Sequence, residues 1–276
     1  MSETITLGGD LTVRRSGFGA MRLTGPGAWG EPEDRAGAIA VARRAVELGI
    51  DFVDTADAYG PGNNEELLAE ALRPYPEGLV IATKVGQARP GPWEWVPLAR
   101  PEYIRQQAEL SLRRLGLERI DLYQLHRIDP QVPLAEQLGT LGELRDEGKV
   151  RHLGLSEVTV AEIEEARRHI EVVSVQNRYN LVDRDHDPVV DYCEREGIAF
   201  IPWQPVKLAE LDSGGEGLAS VAGELGVTLA QVALAWLYHR SPAILPIPGT
   251  SSVRHLEENH AASELSLSKE QLARLG

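Results

Sequence analysis

The chain has 276 residues and a formal net charge of −14, and 42% of its residues are hydrophobic. This negative charge disfavours binding to nucleic acid or to anionic lipid, and no apolar run reaches the roughly 18 residues that a membrane helix needs. The N-terminus lacks the residue order of a signal peptide, and Cys193 is the only cysteine, predicted to be a small core residue. We therefore expect a cytoplasmic protein. The scattered histidines and the absence of HExxH or CxxC motifs predict no metal site.

The chain begins with two short runs, Thr4 to Leu7 and Leu11 to Arg14, which are separated by Gly8-Gly9-Asp10 and predict a β-hairpin. Eight apolar runs follow, and we interpret each as a buried strand. They are Gly17 to Met21, Phe52 to Ala56, Leu79 to Val85, Asp121 to His126, Val150 to Ser156, Val172 to Asn177, Ala199 to Gln204 and Ile244 to Pro248.

Stretches with helical periodicity separate these runs. Pro101 and Pro133 are typical of first helical turns, and Gly116 and Gly148 are typical of residues that follow a last turn. Three pairs have the spacing of a capping box, in which two side chains satisfy free backbone donors. They are Thr159 with Glu162, Thr228 with Gln231, and Ser268 with Gln271.

Strands that alternate with helices predict a parallel sheet, because parallel neighbours need long crossover connections. Eight such strands, closed into a ring, form a (β/α)8 TIM barrel, here preceded by the hairpin. The alternative is an open, doubly wound sheet with a dinucleotide-binding fold, but no strand is followed by GxGxxG. No linker divides the chain, and no apolar stripe indicates an obligate interface. We therefore expect residues 1–276 to form one domain and a monomer.

Active sites of such barrels lie at the carboxyl ends of the strands, where four ionisable residues are predicted to converge. Asp54 ends one strand and leads to Tyr59, Lys84 lies near the end of the next, and His126 ends the third. A buried lysine needs a partner, for which Asp54 is suited. A structural ion pair would explain Asp54 and Lys84, but not Tyr59 and His126 beside them. A lysine ammonium also lowers the pKa of a neighbouring tyrosine, which would make Tyr59 a usable proton donor.

The motifs around these residues resemble those of the aldo-keto reductases over nearly the whole chain. They are Phe52-Val53-Asp54-Thr55-Ala56-Asp57-Ala58-Tyr59-Gly60, Ala82-Thr83-Lys84, Asp121-Leu122-Tyr123-Gln124-Leu125-His126, Gly154-Leu155-Ser156, Val175-Gln176-Asn177, and Ile247-Pro248-Gly249-Thr250-Ser251-Ser252 through Glu258-Asn259. The resemblance implies an NADPH-dependent carbonyl reductase in which Tyr59 is the general acid and Lys84 tunes its pKa. It also implies that Asp54 holds Lys84, and that His126 orients the carbonyl and shares the proton.

The same resemblance implies a set of contacts with the cofactor. Ser156 and Gln176 would bind the nicotinamide carboxamide, and Trp203 would stack on the nicotinamide ring, although it could instead fill the barrel core. The helix start after the eighth strand favours phosphate binding, with Arg254 beside it. The full predicted set is Gly19, Met21, Ser156, Gln176, Trp203, Gly249, Thr250, Ser251, Ser252, Arg254, Glu258 and Asn259.

The sequence departs from the family pattern at three positions in or beside this set. Gly249 and His255 stand where some members have a lysine and an arginine, which leaves fewer cations for a 2′-phosphate. NADPH is the expected cofactor, and NADH is possible. Glu157 stands where many members have an asparagine that contacts the carboxamide.

Two loops rich in tryptophan are predicted to form the substrate pocket. One contains Trp29, and the other contains Trp93 and Trp95, although each ring could instead fix its own loop. The loop from Gly25 to Gly30 and the segment from Ile247 to Asn259 most resemble a bacterial subgroup that includes pyridoxal reductases. An aromatic aldehyde such as pyridoxal would suit this pocket. Arg22, Arg89 and Arg127 could each meet a substrate anion, but we interpret them as solvated surface residues.

The residues bear on three possible functions. The first is reduction of a small-molecule aldehyde or ketone by hydride transfer. The second is a regulatory subunit that binds NADPH on the same barrel with little turnover. The third, a metal-dependent hydrolase, lacks enough histidine and carboxylate ligands on the strand ends.

Overall fold

A computed structural model describes residues 3–207 and 215–276. Its sheet contains seven parallel strands in the order β11-β10-β9-β8-β5-β4-β3. The strands outside this sheet form two antiparallel pairs, β1 with β2 and β6 with β7. The strands are β1 (Thr4–Leu7), β2 (Leu11–Arg14), β3 (Phe18–Gly19), β4 (Phe52–Asp54), β5 (Val80–Val85), β6 (Gln87–Ala88), β7 (Val96–Pro97), β8 (Ile120–Leu125), β9 (Val150–Ser156), β10 (Ser174–Gln176) and β11 (Ala199–Phe200).

Helices connect the strands and cover the outside of the sheet. Residues 208–214 lie outside the described part, so the helices are numbered over the described residues only. They are α1 (Arg35–Glu47), α2 (Asn63–Leu72), α3 (Pro101–Leu115), α4 (Leu134–Asp146), α5 (Val160–Ala166), α6 (Asp187–Glu196), α7 (Gly215–Leu225), α8 (Leu229–Arg240), α9 (Val253–Ala261) and α10 (Lys269–Leu275). Short 3-10 turns cover Ala20–Leu23, Pro26–Ala28, Gly60–Gly62 and Ala262–Glu264.

The local signals in the sequence predicted several element ends correctly. The hairpin has the predicted bounds, with Leu7 opposite Leu11. All three capping boxes are present, at the starts of α5, α8 and α10. Gly116 ends α3 at a φ of 64°, in the left-handed region that glycine adopts without strain. Pro133 is the residue before α4 rather than the first residue inside it.

The eighth predicted strand, Ile244 to Pro248, closes the barrel without being a regular strand. It makes one parallel bridge, between Phe200 and Ile244, and the Leu245 amide donates to the Phe200 carbonyl at 2.8 Å. On the other side, the Gly17 amide donates to the Pro246 carbonyl at 3.0 Å. Pro246 and Pro248 have no N–H group, so this segment cannot continue a ladder. The prediction of a (β/α)8 barrel is confirmed, and the regular strand is corrected to a hydrogen-bonded closing segment.

The hairpin covers the amino ends of the barrel strands. Its side chains Leu7, Leu11 and Val13 pack in one buried cluster with Phe52, Val80 and other residues from the beginnings of the strands. This end of the barrel is therefore filled with apolar side chains. At the opposite end, Asp54, Ser156 and Gln176 are the last residues of their strands, which places polar side chains there.

No single helix within residues 3–207 and 215–276 is long and apolar enough to cross a membrane. Two consecutive helical segments, Gly217–Leu225 and Leu229–Arg240, are together long and apolar enough to do so by length and composition, but a bend of 100° separates them.

Candidate active site

Three neighbouring strands bring the four predicted catalytic residues to one place. Strand β5 pairs with β4 on one side and with β8 on the other. Asp54 is the last residue of β4, Lys84 is the last but one of β5, and His126 directly follows β8. Tyr59 follows β4 by five positions, and all four side chains are buried.

Lys84 lies at the centre of this group. Its Nζ donates to Asp54 Oδ2 at 2.6 Å, to the Thr55 carbonyl at 2.8 Å and to the Tyr59 hydroxyl at 3.2 Å. Burial alone would lower the pKa of Lys84, but the charge of Asp54 and the contact with Tyr59 outweigh burial and raise the pKa above its ordinary value. Lys84 therefore stays an ammonium, paired with Asp54 as the sequence predicted.

Tyr59 differs from the prediction in one respect. Burial raises its pKa above the ordinary value of 10.0, and the opposing effect of Lys84 is smaller. The expectation of a lowered pKa is therefore wrong. It considered the effect of the Lys84 charge but not the larger effect of burying the phenol away from water. The phenol remains protonated at neutral pH, so Tyr59 holds a proton beside Lys84.

His126 packs its ring edge-on against Tyr59, with 5.9 Å between the ring centroids. Burial, followed by the charges of Lys84, Arg127 and Arg89, lowers the pKa of His126 well below 6.5. Its Nδ1 is buried and has no hydrogen-bond partner among the described residues. His126 is therefore a neutral imidazole at neutral pH.

Asp54 also connects this group to Gln176. The Nε2 of Gln176 donates to Asp54 Oδ1 at 2.8 Å, and the Nε2 of Gln124 reaches the same oxygen at 3.3 Å. Asp54 thus uses one oxygen for Lys84 and the other for two side-chain amides. These bonds fix the carboxylate and give Gln176 one orientation.

A cavity of about 1630 Å³ opens above these residues. Tyr59, His126 and most of the side chains predicted to contact a cofactor line it. Those that do so are Gly19, Met21, Ser156, Gln176, Trp203, Gly249, Thr250, Ser251, Arg254, Glu258 and Asn259. Ser252 and Trp29 do not line it. Ser252 instead caps α9 by accepting a hydrogen bond from the His255 amide at 3.4 Å.

The beginning of α9 contributes an exposed part of this lining. The side chain of Arg254 is 76% exposed and lies 3.7 Å from Glu258, one turn further along the helix. An exposed ion pair of this length contributes little to stability. Its Nη2 also lies 3.0 Å from His255 Nε2, so both neighbours of the Arg254 guanidinium are on the exposed surface of α9.

The sequence did not reveal the partner of Glu157. The indole Nε1 of Trp203 donates to Glu157 Oε1 at 2.5 Å, and the Arg178 amide donates to the same oxygen at 2.7 Å. Glu157 has a φ of 57°, which only a few per cent of residues other than glycine adopt. The carboxylate thus fixes the ring of Trp203. The departure at Glu157 was visible in the sequence, but its partner lies 46 positions away.

Arg89 connects the two tryptophan-containing loops and is not a solvated surface residue. Its guanidinium donates to the carbonyls of Gly27, Ala28, Ala58 and Glu94. It also lies over the ring of Trp95, 3.5 Å from the ring centroid. The interpretation of Arg89 as a solvated surface residue is therefore wrong, because its guanidinium donates hydrogen bonds to carbonyls of three separate loops.

The three tryptophans have different environments. Trp95 lies edge-on to Tyr59 at 6.3 Å and to His126 at 6.2 Å, so it forms a wall beside them. Trp93 lines the cavity but is 74% exposed. Trp29 lies 5.7 Å from Arg89, outside the cavity lining.

Comparisons with known proteins agree with this arrangement. A model of the aldo/keto reductase family matches residues 16–276. Pyridoxine 4-dehydrogenase of Escherichia coli is 44% identical over 281 residues, which cover 99% of this chain and 97% of that protein. An uncharacterized oxidoreductase of Schizosaccharomyces pombe is 52% identical over 267 residues, which cover 97% of this chain and 87% of that protein.

Solved structures show the same fold. An aldo/keto reductase of Klebsiella pneumoniae, crystallised with NADP and acetate, is 28% identical and superposes with a TM-score of 0.83 over 100% of this chain and 94% of that chain. The family match, the relatives and the fold agree with the motifs seen in the sequence. The chain therefore belongs to the aldo/keto reductase family of oxidoreductases.

Proposed function

We propose that this protein reduces an aldehyde or ketone to an alcohol with NADPH, and that Tyr59 is the general acid. The main support is the 3.2 Å contact between Lys84 Nζ and the Tyr59 hydroxyl. This contact lies beside a cavity large enough for both a cofactor and a substrate. A single small molecule needs roughly 300–1,000 Å³, and this cavity measures about 1630 Å³.

Each of the four residues has a separate role in this proposal. Tyr59 donates its proton to the oxygen of the carbonyl as that oxygen gains negative charge. Lys84 supports the phenolate left behind, because its ammonium lies against the same oxygen. Neutral His126 donates a hydrogen bond from Nε2 and holds the carbonyl in place. Asp54 keeps Lys84 charged and in position.

The lining residues fit a nicotinamide cofactor. Gln176 has its Nε2 committed to Asp54, and no described residue donates to its Oε1, so that oxygen can accept from a carboxamide. The indole of Trp203, held by Glu157, lines the same cavity and supplies an aromatic ring for stacking. Thr250, Ser251 and the first turn of α9 suit phosphate. When bound, the cofactor supplies the hydride that reaches the carbonyl carbon.

NADPH is favoured over NADH on two grounds. Arg254 is the cation at the start of α9, and its exposed pair with Glu258 leaves it able to meet a 2′-phosphate. The Klebsiella pneumoniae relatives were crystallised with NADP or NADPH. Gly249 and His255 supply no permanent charge, so we expect a moderate preference and some activity with NADH.

Pyridoxal is the first substrate to test. The E. coli relative at 44% identity is named a pyridoxine 4-dehydrogenase, and pyridoxal is the aldehyde that corresponds to its alcohol. Trp95 supplies an aromatic wall beside Tyr59 and His126. A flat aromatic aldehyde would pack against that wall.

The test measures loss of NADPH absorbance with pyridoxal, nitrobenzaldehyde, methylglyoxal and a simple ketone, for the wild-type protein and for Tyr59→Phe. We expect the variant to lose about 10²–10⁴-fold in turnover while it keeps its affinity for NADPH. A near-native rate in Tyr59→Phe would refute the role of Tyr59. Tight NADPH binding with no oxidation by any carbonyl would instead favour a regulatory, cofactor-binding subunit.

We also propose that the protein acts as a monomer with one domain over residues 1–276. Large apolar side chains exposed in the described residues are limited to Met21, Trp93 and Val96. Met21 and Trp93 belong to the cavity lining. Light scattering during size-exclusion chromatography would test this proposal, which a stable dimer would contradict.

A further inference from the structure

Arg127 lies beside the catalytic group and has no role in the reaction described so far. It follows His126 directly, is half-buried, and lines the same cavity as Tyr59 and Trp203. It is therefore not the solvated surface residue that its sequence context indicated.

Only one of the three guanidinium nitrogens of Arg127 donates a hydrogen bond within the described residues. Its Nη1 donates to the His126 carbonyl at 2.5 Å and to Ser156 Oγ at 3.1 Å. Within residues 3–207 and 215–276, no carboxylate forms an ion pair with it, and no acceptor meets Nε or Nη2. Those two nitrogens form one edge of the guanidinium, the edge that binds a carboxylate or phosphate through two parallel hydrogen bonds.

The neighbouring cations have other partners. Lys84 is paired with Asp54 at 2.6 Å, and Arg89 donates to four backbone carbonyls. Burial lowers the pKa of Arg127, and the nearby charge of Glu157 opposes this effect. Glu157 nevertheless forms no ion pair with Arg127, and its Oε1 already accepts from Trp203 and the Arg178 amide. A partly buried guanidinium whose Nε–Nη2 edge has no directly bonded anion would be stabilised by a ligand anion at that edge.

We propose that Arg127 binds an anionic group of the substrate, so that the preferred substrates are aldehydes or ketones that also carry a carboxylate or a phosphate. This inference rests on the proposed carbonyl reduction at the same site. Arg127 directly follows His126 in the chain and lines the same cavity as Tyr59. The anion must therefore be only a small ring or short chain away from the reacting carbonyl.

Pairs of substrates that differ only in an anionic group test whether Arg127 binds that group. The first pair is 4-carboxybenzaldehyde and methyl 4-formylbenzoate, and the second is 4-formylphenyl phosphate and 4-methoxybenzaldehyde. For wild type we expect a higher kcat/KM for the charged member of at least one pair, which also shows whether carboxylate or phosphate is favoured. In Arg127→Met the ratio of charged to neutral substrate should fall by about 10- to 100-fold, mainly through KM, and Arg127→Lys should recover part of it.

A matched control is Arg113→Met, which removes an exposed arginine on α3 away from the cavity and should keep the wild-type ratio. An equal loss for charged and neutral substrates would overturn the inference, because Arg127 would then act only through Tyr59. A loss of NADPH affinity as large as the loss in the substrate ratio would also overturn it, since Arg127 would then hold the cofactor.

Direct binding keeps the inference testable if no aldehyde is reduced, an outcome that would refute the proposed function alone. Benzoate and phenyl phosphate can be titrated by calorimetry into protein saturated with NADP⁺. Binding of either that weakens about tenfold or more in Arg127→Met would support the anion site. Equal binding by the wild type and the variant, or no binding to wild type, would contradict it.

Discussion

Glu157 and Trp203 are joined by a 2.5 Å hydrogen bond from the indole Nε1 to the carboxylate Oε1. The same oxygen accepts the Arg178 amide, so the carboxylate is held by backbone as well as by the ring. Glu157 thus fixes the indole of Trp203, on which we expect the nicotinamide to stack. This relationship gives a function to a residue that departs from the family pattern.

We expect Glu157→Leu to weaken NADPH binding by about tenfold, because the indole of Trp203 loses its acceptor and no longer has one orientation. Glu157→Gln keeps an oxygen that can accept from the indole and should bind nearly as well as wild type. Quenching of tryptophan fluorescence by NADPH measures both affinities. Equal weakening in the two variants would mean that the charge of Glu157 matters and the hydrogen bond does not.

Lys84→Met should lower the free energy of unfolding by about 3–5 kcal/mol, because it leaves the Asp54 carboxylate buried without its counterion. The double variant Asp54→Asn/Lys84→Met removes both charges and should be more stable than the single variant. Urea denaturation measures the difference. If the double variant were no more stable than Lys84→Met, the unpaired charge would not be the cause of the loss.

The pKa of His126 predicts how stability changes with pH. Because the pKa in the folded protein lies well below the ordinary 6.5, the unfolded chain binds more protons below that pH. The free energy of unfolding should therefore fall as the pH is lowered through 6.5. In His126→Gln this contribution is absent, so the fall between about pH 7.5 and about pH 5.5 should be smaller than in wild type. Urea denaturation at each pH tests this, and parallel curves for the two proteins would contradict it.

Arg89→Met should raise the KM for aromatic aldehydes, because the wall formed by Trp95 loses the guanidinium that lies over it and holds its loop. We expect kcat to change less, since Lys84 and Tyr59 keep their contact. Arg89→Lys retains the charge but cannot reach several carbonyls at once, so it should resemble Arg89→Met. Steady-state kinetics with Arg113→Met as the control measure the effect, and full activity in Arg89→Lys would show that charge alone suffices.

The sequence by itself determined the hairpin, the capped helix starts and the order of the strands. These features depend on short stretches: glycines between two apolar runs, or a hydroxyl three positions before a carboxylate as in Thr159 and Glu162. It also predicted the contact of Asp54 with Lys84, because a lysine within an apolar strand needs a nearby acid in the next strand.

Only the tertiary structure decided the electrostatics and the long-range contacts of the site. Whether the pKa of Tyr59 is raised or lowered depends on how completely the fold excludes water from the phenol, which the neighbouring residues in the sequence do not specify. The bond between Glu157 and Trp203 and the free edge of Arg127 depend on where separate loops meet at one end of the barrel. Burial and contacts between distant segments are properties of the whole fold, whereas turns, caps and strand order follow from local residues.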